Sequence, residues 1–576
     1  VLTASDIATH PSMSKKLQLQ SADIQPAGNL LKEVEILKQE IKHLKSRKRY
    51  GLVWEDKIEK FEKDSKGALP ILREKGNKCP DIISDKNKDF NILIEGDNYH
   101  SLSVLSYTHK NKVDVIYIDP PYNTGNKDFI YNDHYVDKED RFRHSKWLSF
   151  MSKRLKLAKS LLSKNGVMFI SIDDNEFAGL KILVEDIFGQ NKTDVIIWRK
   201  SGDGRDGKMK NTTSFRKDHE YILVVFKRDQ VLNKIIETPN FQNEYGNPDN
   251  DKRGPYKAGS ISNKEEASDV NHENYYTVKS PSGKKFKRQF NVSQKEFLEL
   301  DKNNRIYWGK KGDAVPSIKI FINEERSITP YSVFLNKGTT TEGKKELREI
   351  FNLRDGEEDI FNNPKPSILI KTLIQLASNK ESVILDFFAG SGTTGHSILQ
   401  FNKENNTSHR FILCTNNEKK ICENITYGRI KRISIGYKNS ENKKVEGLGG
   451  NLKYLKTDFV KLEKSIDSLK HKIVEGSTEI LCLKEGSFGL VADSYKKNRI
   501  KIFQSPNRYT AILFDLFYFE DFVEQLKKLK DKPVSVYVFS YTKDFSKEEF
   551  GELGIKFTIE PIPEKILETY KKIFDF

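Results

Sequence analysis

Val113-Asp114-Val115-Ile116-Tyr117-Ile118-Asp119-Pro120-Pro121-Tyr122 decides how this chain is read. The first six residues form a short, mostly apolar run, the pattern of a strand buried on both faces. The next four end it. Proline fixes φ and carries no backbone donor, so two in succession make a stiff loop whose carbonyls are left to accept from a ligand. A carboxylate, rigid carbonyls and an aromatic ring at a strand's end suit a flat ring that bears an exocyclic amine. Asp119 or the Pro120 carbonyl accepts from the NH₂, and Tyr122 stacks on the ring face. That is equipment for alkylating the amine of a nucleobase; Pro120-Pro121-Tyr122 alone also fits a merely rigid turn.

Outward from this loop the pattern is α/β. Asn91 to Ile94 reads as a strand, then Gly96-Asp97-Asn98 leads into a helix through Leu102 and Leu105. Trp147, Leu148, Met151, Leu155, Ala158 and Leu162 mark an amphipathic helix, followed by strand, helix and strand up to Trp198. Strands alternating with helices imply a parallel sheet with right-handed crossovers. The rhythm breaks over 199–355, which is rich in Lys, Arg, Asn, Gly and Ser with short β-like pieces such as Tyr221 to Phe226. It returns with a helix from Pro366, a strand ending at Phe387, a glycine-rich turn, a helix, and a strand at Arg410 to Cys414. The expected architecture is an α/β, doubly wound, mostly parallel Rossmann-like domain of 89–198 and 356–445. An insertion at 199–355 splits it, and a small C-terminal α/β domain follows at 446–576. In that last domain strands are expected at 479–483, 489–493, 501–504, 511–514 and 534–539. Residues 1–88 form an extension in which Leu30, Val34, Leu37, Ile41 and Leu44 recur at the spacing of a short coiled-coil seam. A basic cluster at Lys45, Arg47, Lys48 and Arg49 ends it.

The glycine-rich turn is Asp386-Phe387-Phe388-Ala389-Gly390-Ser391-Gly392-Thr393-Thr394-Gly395-His396-Ser397. Glycines after a strand let backbone approach a ligand, and helix N-terminal NH groups favour negative charge. Gly390, Gly392 and Gly395 match a dinucleotide fingerprint, with Glu418 some way on as a ribose partner. Gly390 to Ser397 also matches a P-loop whose lysine is replaced by His396, which removes the phosphate-binding cation. A third reading is an S-adenosylmethionine loop, and a fourth is a tight turn without a ligand.

Taken together, the two loops resemble those of DNA amino-methyltransferases. Their order, with the Asp-Pro-Pro-Tyr loop first, an insertion, then the glycine loop, resembles the β group of adenine-N6 enzymes. Gly96-Asp97-Asn98-Tyr99-His100-Ser101-Leu102, the extension Asn123-Thr124-Gly125, Ser171-Ile172-Asp173-Asp174-Asn175-Glu176, Asn363-Pro364-Lys365-Pro366 and the stretch from Gly449 to Phe459 look like Mod subunits of type III restriction-modification systems. The resemblance implies catalysis by Asp119, Pro120, Pro121 and Tyr122 on an adenine flipped out of duplex DNA. It implies S-adenosylmethionine as cofactor, with Asp386, Phe388, Ala389, Gly390, Gly392 and Thr393 at its methionine end and Asp97 near its adenosine end. Asn417 or Glu418 would hold the ribose. Lys365 and Pro366 would either close that pocket or simply start a helix. It also implies a separate restriction subunit, since this chain lacks a complete Walker motif, and a homodimer. The alternatives are cytosine-N4 transfer, a catalytically inert DNA-binding specificity subunit, and a nicotinamide oxidoreductase, which leaves the first loop unexplained.

Composition agrees with a polyanionic partner. Of the 576 residues, 98 are Lys or Arg and 82 are Asp or Glu, a net charge of +16. Between Val278 and Lys311 ten cations face three acids, with Phe286, Phe290, Tyr307 and Trp308 interleaved, a nucleic-acid footprint. Lys284, Lys285, Lys287, Arg288 and Arg305 are the candidate DNA contacts of this target-recognition insertion. The four cysteines form no CxxC pair, which suits a reducing cytoplasm and argues against a cysteine zinc site. No metal site, membrane span or secretory signal is expected. Met13 is a candidate natural start.

Overall fold

In a computed structural model the chain divides into two compact units, Val1–Glu55 and Asp56–Phe576. The structure describes Lys38, Glu59 and residues 67–574, apart from 86, 127, 132–133, 203–214, 230, 238–244, 325, 464, 496–498 and 541–544. The expected coiled-coil seam and its basic cluster lie outside the described residues.

The second unit is built on a ten-stranded sheet. Its strands in chain order are β1 (Ala68–Glu74), β2 (Phe90–Glu95), β3 (Val113–Ile118), β4 (Leu162–Ile172), β5 (Thr193–Arg199), β6 (His219–Phe226), β7 (Val333–Phe334), β8 (Val383–Asp386), β9 (Arg410–Thr415) and β10 (Asn451–Lys461). Across the sheet they run β1-β10-β2-β9-β8-β3-β4-β6-β5-β7. The six strands from β10 to β4 are mutually parallel, whereas β1 joins β10 antiparallel and β6 runs against both β4 and β5. Four strands differ from the sequence expectation. Ala68–Glu74 of the N-terminal extension and Val333–Phe334 of the insertion also join this sheet. Tyr221 to Phe226 belongs to this sheet and not to the insertion, and Asn451–Lys461 extends the sheet beyond residue 445. Tyr221 to Phe226 is an apolar run and Asn451–Lys461 a mixed one with three lysines, and in both membership is set by pairing and not by local pattern.

Helices cover both faces. On one side α1 (Asn98–Thr108), α2 (Arg143–Leu161) and α3 (Phe177–Phe188) pack in succession. Elsewhere α4 (Thr340–Ile350), α5 (Ser367–Ala377), α6 (Thr393–Asn405) and α7 (Tyr427–Ile435) touch one another. Leu369, Leu373 and Ile398 of these helices share a core with Val115, Phe169 and Ile384 of the strands. The winding reverses between β3 and β8. The chain leaves β3 toward β4 and leaves β8 toward β9, on opposite sides. Open α/β sheets bind ligands in the crevice at such a switch point, outside the carboxyl ends of the strands.

The insertion stands on a two-stranded stem. Ile235–Glu237 carries the chain in, Arg326–Ile328 carries it out, and the two pair antiparallel. Between them lie a three-stranded sheet, a hairpin of Tyr275–Lys279 with Lys285–Gln289, and a helix at Gln294–Lys302. Ile261, Val278, Phe286, Phe290, Phe297, Ile306 and Trp308 make this insertion its own core. The C-terminal region has a five-stranded sheet of its own. The strand expected at 479–483 is instead part of a helix, Thr478–Glu485. A short apolar run has no period that separates the two, and here Ile480, Leu481, Cys482 and Leu483 are all buried in a helix that Gly486 ends in the left-handed region.

Candidate active site

Asp119 follows β3 and the glycine loop follows β8, and these strands are parallel neighbours paired Ile384 to Val115 and Leu385 to Ile116. Their two loops therefore leave the sheet side by side, about 5 Å apart at the strand ends. Both border one cleft of about 920 Å³, whose wall includes Asp97, Asp119, Pro121, Phe361, Phe388, Gly390 and Glu418. That volume is in the range of small-molecule sites.

The Asp119 loop is held from several directions. Trp147 of α2 donates from Nε1 to the Pro121 carbonyl at 2.7 Å. Asn123 adopts φ of +55°, is fully buried, and donates to the Arg143 carbonyl and to Glu176. Tyr122 turns its hydroxyl toward Asp119 Oδ1 at 2.9 Å and Glu220 Oε2 at 3.0 Å. Lys365 Nζ donates to both Asp119 oxygens at 2.8 Å and to the Tyr122 hydroxyl at 2.9 Å. Lys200 Nζ reaches Glu220 Oε1 at 3.2 Å. Burial pushes the Asp119 carboxyl above its ordinary range, and the Lys365 ammonium opposes the rise. Glu220, between two ammonium groups, is held below the usual carboxylate range despite its burial. Pro366 caps α5. Lys365 therefore serves the Asp119 loop, and the choice between closing a cofactor pocket and starting a helix falls to its neighbour alone.

The glycine loop divides in two. Phe388 and Gly390 face the cleft. Asp386, Ala389, Gly392 and Thr393 are buried and are not among the residues that line it. Asp386 accepts from the Phe388 amide at 2.9 Å and from the Thr394 hydroxyl, and burial pushes its carboxyl up to about 7. It shapes the loop from beneath. Gly390 (φ +49°) and Gly392 (φ +77°) are left-handed, and a Cβ on Gly390 would crowd Phe361 at 3.1 Å. His396 is buried and accepts from the Arg429 guanidinium, which also donates to Thr393 at 2.8 Å. The residue at the P-loop lysine position is thus turned into the protein, and the nucleotide triphosphate reading fails.

Asp97 caps α1 by accepting from the Tyr99 amide at 2.7 Å, and its carboxylate borders the cleft. Arg154, buried within α2, reaches Asp97 at 3.4 Å, Asn98 and Glu59. Asn98 in turn donates to the Phe387 carbonyl at 3.1 Å, tying the start of α1 to the glycine loop. Glu418 borders the cleft, whereas Asn417 points its amide oxygen at the Glu423 amide. The structure thus gathers Asp97, Asp119, Phe388, Gly390 and Glu418 around one space. It adds Lys365, Glu220, Trp147 and Arg154, which the sequence reading left without these roles.

The insertion needs a correction. Phe286, Phe290 and Trp308 are core residues and present no rings outward. Arg305 pairs with Glu324 through both guanidinium arms and lies over Phe321. Arg288 donates to the Asn263 carbonyl at 3.3 Å. Lys284, Lys285 and Lys287 are exposed. Strand alternation puts Lys285 and Lys287 on one face of the hairpin with Lys279, opposite Phe286.

Among the described residues no helix is long and apolar enough to cross a membrane, and no cluster of three metal-ligating side chains occurs.

Comparisons with known proteins identify the family and its relatives. Residues 113–444 match the family of DNA methylases. The StyLTI Mod subunit of a Salmonella typhimurium type III restriction-modification enzyme is 32% identical over 389 residues, 62% of this chain and 58% of that protein. The Escherichia coli EcoP15I Mod subunit is 30% identical over 57% of this chain and 59% of its own length. The type II methyltransferase M.KpnI of Klebsiella pneumoniae is 29% identical over 61% of this chain and 89% of its own. The matches therefore span a little under three fifths of the two Mod subunits. Among solved structures, a complex of M1.HpyAVI with S-adenosylmethionine covers 59% of this chain and 98% of its own at 14% identity and a TM-score of 0.28. With the family match spanning more than half of its length and including both loops of the cleft, the chain belongs to the DNA methylase family.

Proposed function

We propose that this protein transfers a methyl group from S-adenosylmethionine to N6 of an adenine flipped out of a specific duplex DNA site. We further propose that it is the modification subunit of a type III restriction-modification system, acting as a homodimer with a separate restriction subunit. The observation that supports this reading is the shared cleft. An amine-accepting carboxylate on one loop and a left-handed glycine wall on the next strand's loop open into the same 920 Å³.

The residues present fit S-adenosylmethionine. Gly390 presents bare left-handed backbone to the cleft, Phe388 and Phe361 supply apolar walls, and the carboxylates of Asp97 and Glu418 suit hydroxyl or amine donors. The chemistry the cofactor supplies when bound is an electrophilic sulfonium methyl. The rest falls to the chain. Asp119 and the Pro120 carbonyl accept the two N6 hydrogens, which aims the nitrogen lone pair. Tyr122 stacks on the extruded ring, an interaction worth about 1–3 kcal/mol per base. Flipping costs a few kcal/mol, which these contacts offset. Asp119 is the first oxygen base the departing N6 proton meets. Lys284, Lys285 and Lys287 meet phosphates, which position but do not specify.

Incubation with tritiated S-adenosylmethionine and mixed-sequence duplex DNA, followed by digestion to nucleosides, tests the reading. Label in N6-methyladenosine supports it. Label in N4-methylcytosine, or DNA binding without label, refutes it. Asp119→Ala is expected to lower transfer by at least about 100-fold while leaving cofactor affinity within a few fold. Full activity in that variant would remove Asp119 from the chemistry.

A further inference from the structure

We propose that Lys365 is a positioning residue for transfer, whose ammonium keeps Asp119 ionised and aimed at the target amine against the opposing charge of Glu220. The proposal rests on the transferase reading above and extends it to a residue that never touches the base.

Lys365 lies between Pro364 and Pro366, immediately before α5, so its backbone has little freedom. Its side chain is buried against the rings of Tyr122 and Trp198, 5.1 and 5.9 Å from their centroids. The ammonium lies 2.8 Å from each Asp119 oxygen, 2.9 Å from the Tyr122 hydroxyl and 3.4 Å from Glu220 Oε2. The two carboxylates meet through Tyr122, which reaches both. Two cations face two anions here, and among the described residues Lys200 reaches Glu220 and not Asp119. Lys365 is therefore the cation that neutralises Asp119. Among the described residues the other titratable groups acting on this cluster are Tyr117 from β3, Asp386 from β8 and Asp173 after β4. Each adds negative charge or none, so none replaces Lys365.

The consequence follows from donor and acceptor roles. An adenine N6 offers two hydrogens and needs acceptors. An ionised carboxylate has only acceptor oxygens, whereas a protonated one gives up one of them to a hydroxyl donor that cannot serve the amine's hydrogens. Without Lys365, burial and the Glu220 charge both favour the protonated form of Asp119. Burial already pushes Asp119 upward with Lys365 in place. Glu220 is the second half of the device. It helps to fix the ammonium, and it becomes a liability once the ammonium is gone.

The test measures single-turnover label transfer to mixed-sequence duplex DNA between about pH 5.5 and 9. Wild-type protein, Lys365→Met, Lys365→Arg and the double variant Lys365→Met with Glu220→Gln are compared. S-adenosylmethionine affinity is measured on each by calorimetry. Lys365→Met is expected to lose about 100-fold at neutral pH and to regain rate as pH rises, its acidic limb displaced upward by one unit or more. Lys365→Arg keeps the limb near its wild-type position. Glu220→Gln in the Lys365→Met background moves the limb back and recovers about tenfold. Cofactor affinity stays within about threefold throughout, which a general loss of structure would not allow. A Lys365→Met profile superimposable on wild type overturns the proposal. So does a loss equal at every pH that Glu220→Gln leaves untouched. Wild-type protein that labels no DNA at any pH overturns the transferase reading, and this proposal with it.

Discussion

Glu176 lies under the loop that carries Asp119, where it accepts from Asn123 and meets His144 Nδ1 at 2.7 Å. Burial lifts its carboxyl from 4.5 to about 8, and burial also lowers His144 from its ordinary value. Between those values the folded protein keeps a proton that the unfolded chain has released. Stability is then full below the lower value and falls as pH rises toward the upper one, by up to about 1.4 kcal/mol per unit. Glu176→Gln keeps an acceptor for Asn123 and removes the titration. Urea unfolding of that variant should show a flatter decline from pH 5.5 to 8 than wild type, roughly 1 kcal/mol per unit less steep. An equal slope would mean that Glu176 does not titrate there. At this scale the sequence discloses what is written contiguously. Asp119, Tyr122 and Gly390 sit in recognisable strings. Lys365 and Glu220 come from segments 145 residues apart in numbering, and nothing local marks either as a partner of Asp119. Arg154 reads as the solvated side of an amphipathic helix, yet it is buried among Asp97, Asn98 and Glu59.

The hairpin of the insertion shows what an element adds to a charge count. Ten cations in a stretch of sequence look equivalent until the strand period separates them. Lys279, Lys285 and Lys287 share the open face, whereas Arg305 is already paired with Glu324. Replacing Lys279, Lys285 and Lys287 by Glu should weaken DNA binding and lower the slope of log K against log salt by up to about 0.9 per lost phosphate contact. Arg305→Gln should leave that slope unchanged and lower thermal stability instead. Fluorescence anisotropy across a salt series reads both, and a slope unaffected by the triple change would make the hairpin face mere solvated surface. The elements themselves were largely visible in the pattern, since long periodic helices such as α2 and buried strands such as β3 are unambiguous. Short apolar runs were not. Thr478–Glu485 is helical because it is buried all round, and Tyr221 to Phe226 is a sheet strand because β4 and β5 flank it. Both reasons lie in tertiary contacts that no local window contains.

Over the whole molecule, the C-terminal sheet is fastened to the methylase domain through α1. Tyr107 of α1 donates to Glu560 at 2.7 Å, and Lys484 reaches the same carboxylate at 2.7 and 2.9 Å. Tyr570 donates to the Pro70 carbonyl of β1. Because α1 begins at Asp97 on the cleft wall, this docking steadies the site from outside it. Glu560→Leu strands the Lys484 ammonium without its carboxylate and should cost about 3 kcal/mol in denaturant unfolding, with reduced cofactor affinity. Unaltered unfolding would show that the two regions do not support each other. In the sequence the α/β rhythm stops and restarts, but the join at β10 was hidden, as a strand beside β2 is not adjacent to it in sequence. The two-stranded stem has a further consequence for inheritance. A module with its own core, entered and left through one paired ladder, is a natural unit of genetic exchange. On the proposed reading, in which this insertion selects the DNA site, exchange at the two stem strands would trade one DNA preference for another in a single event while leaving the Asp119 and glycine loops unaltered.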